Sequence, residues 1–117
     1  MEIKIKRVYD PVSEADGVRI LVDRLWPRGF SKERAHINLW HKEIAPSTDL
    51  RKWFAHKPER FREFAELYRK ELQNKVDILR EIKALSLKEQ VTLVYSAKDT
   101  EMNQAVVLKQ VLEEMRG

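Results

Sequence analysis

The densest chemistry in the sequence lies in seven residues, Asp23-Arg24-Leu25-Trp26-Pro27-Arg28-Gly29. Two guanidinium groups, a carboxylate, an indole and a rigid Pro turn crowd behind the largely apolar run Val18 to Val22. Guanidinium forks match the paired oxygens of carboxylates and phosphates. Charged groups beside a core must be paired or wet. The chemistry this points to is recognition of an anion, with Arg24 and Arg28 neutralising it and Trp26 flanking it. Asp10, Asp23 and Asp99 are the candidate acid–base carboxylates. Two structural alternatives stay open: Arg24 paired internally with Asp23, Asp10 or Asp99, and Trp26 pinning its own loop.

The elements that must position these groups follow from periodicity. Ile3 and Ile5 alternate with Lys4 and Lys6, which predicts a strand over 2–8. Residues 18–23 read as a strand covered on both faces. Ser31 caps a short helical turn to Ala35, and 37–43 reads as a third strand or as helix. Ser47 or Thr48 caps a helix bearing Leu50, Trp53 and Phe54. Pro58 opens a second helix, whose Phe61, Phe64, Ala65, Tyr68 and Leu72 form one stripe. A third helix is predicted over 76–88 and a strand over 91–95. Asp99 or Thr100 caps the final helix.

Alternating strands and helices predict an α/β fold. The expectation is one layered domain over 1–117, with a mostly parallel sheet of three to four short strands and about four helices. The short link between the first two strands leaves one antiparallel pairing open.

In open parallel sheets, ligands bind beyond the carboxyl ends of the strands. Four segments would meet at that rim. They carry Arg7 and Tyr9, then Arg24, Trp26 and Arg28, then Ser47, and finally Lys98, Asp99 and Asn103. Free N–H groups at the helix starts after Ser47 and Asp99 would add to the attraction for an anion.

Composition narrows the rest. The chain has 117 residues, no cysteine, three glycines and three histidines. Thiolate nucleophiles and cysteine-ligated metals are therefore excluded, and no Gly-rich phosphate loop can be written. His36, His41 and His56 match no familiar metal-ligand spacing. No metal and no cofactor is assigned. A net charge of +4 favours anionic partners without the clustered basic stripe of a dedicated nucleic-acid binder. No apolar run is long enough for a membrane span, and the charged start Glu2-Ile3-Lys4 does not read as a signal peptide. A cytoplasmic location without a membrane partner is the expectation.

The quoted segments, together with Leu39-Trp40, Ala45-Pro46-Ser47, Leu50-Arg51-Lys52-Trp53-Phe54, His56, Pro58 and Ala97-Lys98-Asp99, resemble the YeaO-like branch of the domain of unknown function 488 family. The resemblance covers essentially the whole chain. By the pattern of longer members, Tyr95 stands where a cysteine would close the last strand. Asn103, Gln104 and Ala105 stand where a Cys-His-Arg run would open the following helix. The resemblance therefore implies a site position and no inherited thiol chemistry.

The leading reading is a small protein that binds a phosphate- or carboxylate-bearing ligand at the strand-end rim, with catalysis left open. Two others stand beside it: nucleic-acid binding through the basic surface, and an interaction scaffold that docks a partner on the Trp26 loop. No oligomeric state is assigned.

Overall fold

A computed structural model describes residues 2–116. Four parallel strands form one sheet: β1 (Lys4–Arg7), β2 (Val18–Leu21), β3 (Leu39–Trp40) and β4 (Val91–Tyr95), in the order β1-β4-β2-β3. The all-parallel pairing removes the antiparallel alternative. The link over 8–17 can be short because β1 and β2 are not neighbours; β4 later inserts between them. That link carries a 3-10 turn at Glu14–Asp16, capped by Ser13.

Five α-helices accompany the sheet: α1 (Lys32–Ala35), α2 (Thr48–Phe54), α3 (Phe61–Leu72), α4 (Val76–Lys88) and α5 (Gln104–Glu114). Side chains alternate across the sheet and divide the core in two. Ile20 of β2 and Val91, Leu93 and Tyr95 of β4 join Phe54, Phe64, Tyr68, Leu79, Ile82 and Leu108 in the large core beneath α2 to α5. Leu21 and Val94 face the other way, into a small cluster with Val8 and Ala35, closed by Trp26, Phe30 and Ile37. One face thus carries most of the helices, and the other only α1 and the 23–37 segment.

Three boundaries differ from the sequence reading. The third strand shrinks to Leu39–Trp40, because a 3-10 turn at Lys42–Ile44 follows at once. Pro58 opens a 3-10 turn, Pro58–Arg60, that leads into α3. The final helix is not capped by Asp99 or Thr100. Asp99 Oδ1 instead accepts the N–H groups of Glu101 and Met102 and closes a turn. Asn103 caps α5, its Oδ1 accepting from Val106 N at 3.0 Å.

At the opposite end of the strands from the rim, a buried ion cluster ties the sheet together. Asp16 accepts from Arg19 Nη1 at 2.7 Å and from Lys6 Nζ at 2.9 Å, and Arg19 is 3% exposed. Arg19 also donates to the carbonyls of Ala35 and His36, fixing the end of α1. Among the described residues, no helix is long and apolar enough to cross a membrane.

Candidate functional site

The chain leaves β2 toward β3, and leaves β4 toward α5, which packs over β4 and β1. Diverging connections open a crevice between adjacent parallel strands at their carboxyl ends. A cleft of about 460 Å³ lies there. Tyr9, the 23–28 loop, Ala45-Pro46, residues of α2, His56 and the Ser96-Ala97 segment line it.

Its floor is polar and internally bonded. Asp23, 8% exposed, accepts from Ser96 N at 3.0 Å, Ser96 Oγ at 2.6 Å and Gln104 Nε2 at 2.5 Å. Burial pushes the Asp23 carboxyl above the usual 3.8, against the downward pull of the Ser96 and Gln104 bonds and of the Arg51 charge. A carboxylic acid with a raised folded value is favoured by its protonated form. Its contribution to stability is full below 3.8 and is lost as pH rises through the folded value. In urea melts across that range, the native protein should lose stability relative to Asp23→Asn as pH rises. A pH-independent difference would remove burial as the dominant influence on Asp23.

The walls and mouth are basic. Arg24 is held by carbonyls rather than by a carboxylate: Nε donates to Pro46 O at 3.0 Å and Nη2 to Ala45 O at 3.1 Å. The internal pairing of Arg24 with Asp23, Asp10 or Asp99 is therefore not what the structure contains. Arg28, Arg51, Lys52 and His56 are exposed around the opening. Among the described residues, Arg28 and Lys52 have no ion pair or side-chain hydrogen bond. Asp23 is the one carboxylate in the described lining.

Trp26 pins its own loop, donating from Nε1 to Phe30 O at 2.6 Å and meeting Trp40 edge-on at 5.4 Å. Trp40 in turn donates to Asp23 O, so both indoles brace the backbone that presents Asp23 and Arg24. Trp40 remains 38% exposed and does not join the core.

The cleft brings together four of the residues expected at the rim, Tyr9, Arg24, Trp26 and Arg28. The other five lie outside it. Arg7 turns to Ala97 O and stacks over Tyr9 at 5.0 Å, so it backs the wall. Ser47 caps α2 and is gripped by Glu71 through both its N–H and its hydroxyl; it lines a second, smaller hollow. Lys98 is exposed away from the cleft, Asp99 closes its turn, and Asn103 is consumed as a helix cap. The side chains of Arg7, Ser47, Asp99 and Asn103 are taken by internal hydrogen bonds. The expected N–H groups after Asp99 belong to a turn rather than to a helix start.

Arg51, Lys52, His56, Ser96 and Gln104 line the cleft without having been expected there. For Arg51, Lys52 and His56 the signal was the Leu50-Arg51-Lys52-Trp53-Phe54 motif with His56, and for Gln104 the place of the Cys-His-Arg run that the resemblance implies.

A family model described as the inactive DUF488-N3 subclade matches residues 2–116. The chain belongs to this DUF488-N3i family. Among its relatives, the uncharacterised protein YeaO of Escherichia coli strain K12 is 46% identical over 108 residues, covering 92% of this chain and 94% of that protein. Uncharacterised proteins of Mycobacterium bovis and of Mycobacterium tuberculosis strain H37Rv are each 40% identical over 110 residues, covering 94% of this chain and 92% of theirs. No solved structure matches. Tyr95, where the resemblance implies a cysteine in longer members, is buried at 2% exposure in this DUF488-N3i chain. Gln104, in the position of the pattern's histidine, is bonded to Asp23.

Proposed function

We propose that this chain binds a small anionic ligand, phosphate- or carboxylate-bearing, in the strand-end cleft, and that it acts as a cytoplasmic binding protein. The observation that carries this reading is the cluster of Arg24, Arg28, Arg51, Lys52 and His56 around one opening, with Arg28 and Lys52 unpaired among the described residues. Cations gathered without internal partners repel one another, and an anion relieves that repulsion. Arg24 keeps its orientation through two carbonyls and needs no rearrangement to meet a ligand. The family's description as an inactive subclade, and the absence of cysteine, favour binding over catalysis.

Thermal unfolding across a panel of inorganic phosphate, sugar phosphates, nucleotides and dicarboxylates tests the reading. A ligand that binds the native state raises the melting temperature by mass action. Each charge-assisted hydrogen bond contributes about 1.5–3 kcal/mol, so Arg28→Ala with Lys52→Ala should weaken binding by at least tenfold. A panel in which no anion shifts the transition would end the proposal.

A further inference from the structure

We infer that the ligand is a nucleoside phosphate, held with its phosphate at the Arg28–Arg51–Lys52 mouth, its base against Tyr9 and its sugar hydroxyls toward the Asp23–Ser96–Gln104 floor. This deepens the anion reading and rests on it.

The floor selects for donors. Gln104 Nε2 gives one of its two hydrogens, and Ser96 Oγ its only one, to Asp23. What these lining residues have left is mostly acceptor capacity: the Gln104 carbonyl oxygen, the Ser96 hydroxyl lone pairs and one lone pair of Asp23 Oδ1, against one remaining N–H of Gln104. A bare anion finds at most one donor on such a floor, the second Gln104 N–H, and meets the Asp23 carboxylate beside it. A group rich in O–H or N–H donors is complementary to it, as carboxylates that hold ribose hydroxyls are. The mouth selects for negative charge. One ligand that satisfies both ends carries its anion apart from its hydroxyls, as a phosphomonoester of a sugar does.

The wall adds an aromatic plane. Tyr9 lines the cleft and is 48% exposed, unlike the buried rings of Phe54 and Phe64. The Arg7 guanidinium lies over the ring at 5.0 Å and Phe30 meets it edge-on at 5.0 Å, so the ring is braced while the residue lines the cleft and stays half exposed. An exposed, braced ring beside cations is a platform for a nucleobase, since every base has a π-face. The cleft's volume, about 460 Å³, falls within the range of small-ligand sites.

The experiment is isothermal titration of the full chain with adenosine monophosphate, ribose 5-phosphate and inorganic phosphate, repeated with Tyr9→Leu. Stacking of one base should make adenosine monophosphate bind roughly five- to a hundredfold tighter than ribose 5-phosphate. Tyr9→Leu should collapse that ratio while inorganic phosphate binds as before, which also shows that the variant is folded. Equal affinity for adenosine monophosphate and ribose 5-phosphate, or a ratio that survives Tyr9→Leu, would overturn the nucleoside assignment and leave the anion reading standing. Failure of all three ligands to bind would overturn the nucleoside assignment together with the phosphate half of the anion reading, leaving the dicarboxylates of the thermal panel to decide the rest. An oligonucleotide that gains affinity with each added nucleotide would replace the mononucleotide by a strand.

Discussion

Asp16→Ala should destabilise the protein by about 3–5 kcal/mol, because it strands a buried charge. The loss is large against the roughly 5–15 kcal/mol that holds a small domain together. Arg19 is 3% exposed and keeps its bonds to the Ala35 and His36 carbonyls in the variant, so it cannot swing out to water without releasing α1. Asp16 also bonds Lys6 and the Ser13 backbone, closing the capping box of the 14–16 turn. Burial raises its carboxyl, but the bonds from Lys6, Ser13 and Arg19 outweigh this and hold it below the ordinary 3.8. With a depressed folded value, its stabilising contribution is present above 3.8 and is lost as pH falls through the folded value. Urea melts should therefore show the full penalty at neutral pH and a shrinking one in acid. Adding Arg19→Met to Asp16→Ala should recover part of the loss, since the unpaired charge goes too. A penalty below about 1 kcal/mol at neutral pH would show that the cluster is a solvated surface network.

Phe64→Ala should cost about 3–5 kcal/mol, the usual range for truncating a buried aromatic. Phe64 is 1% exposed and stacks on Phe54 at 4.3 Å and on Tyr68 at 5.8 Å. Tyr68 is anchored by its hydroxyl to Ile44 O, so the stack cannot slide to fill the gap. Phe64 also backs the cleft, and removing it should deepen the opening as well as loosen the core. Chemical denaturation gives the magnitude. Phe64→Leu, which refills most of the volume, should recover more than half of the loss. Equal losses in both variants would mean that ring stacking, rather than filled volume, carries the stability.

The elements were legible where the pattern had one explanation. The stripe from Val76 to Leu85 fixed α4, and the apolar run from Val91 to Tyr95 fixed β4, because both are buried along their length or on one face. The start of α5 was not legible. Asp99 and Asn103 are both good caps of the same type, and only the folded backbone shows which is used: Asp99 closes a turn onto Glu101 and Met102, and Asn103 accepts from Val106 N and opens the helix. The short β3 escaped for a related reason: Leu39 and Trp40 suit either a strand or a helix, and pairing with Ile20 and Leu21 settles it.

The site was half legible. The 23–29 loop advertised itself by its composition. Arg51, Lys52 and His56 did not, since an exposed charge on a short helix reads like any solvated surface, and their convergence on Arg28 is a property of how α2 packs. Arg7 and Ser47 have the right chemistry, but Ala97 O and Glu71 claim their side chains. A sequence displays which groups can bind an anion; the hydrogen bonds decide which remain available.

The most direct test of the central claim is a nuclear magnetic resonance titration of labelled protein with phosphate-bearing ligand, following backbone amides and the indole N–H signals. The account predicts saturable shifts confined to residues 9, 23–28, 45, 51–56, 96–97 and 104, with the Trp26 and Trp40 indole signals moving because both brace the 23–28 loop. Arg28→Ala with Lys52→Ala should abolish them. Shifts that map elsewhere, or that persist unchanged in the double variant, would contradict it.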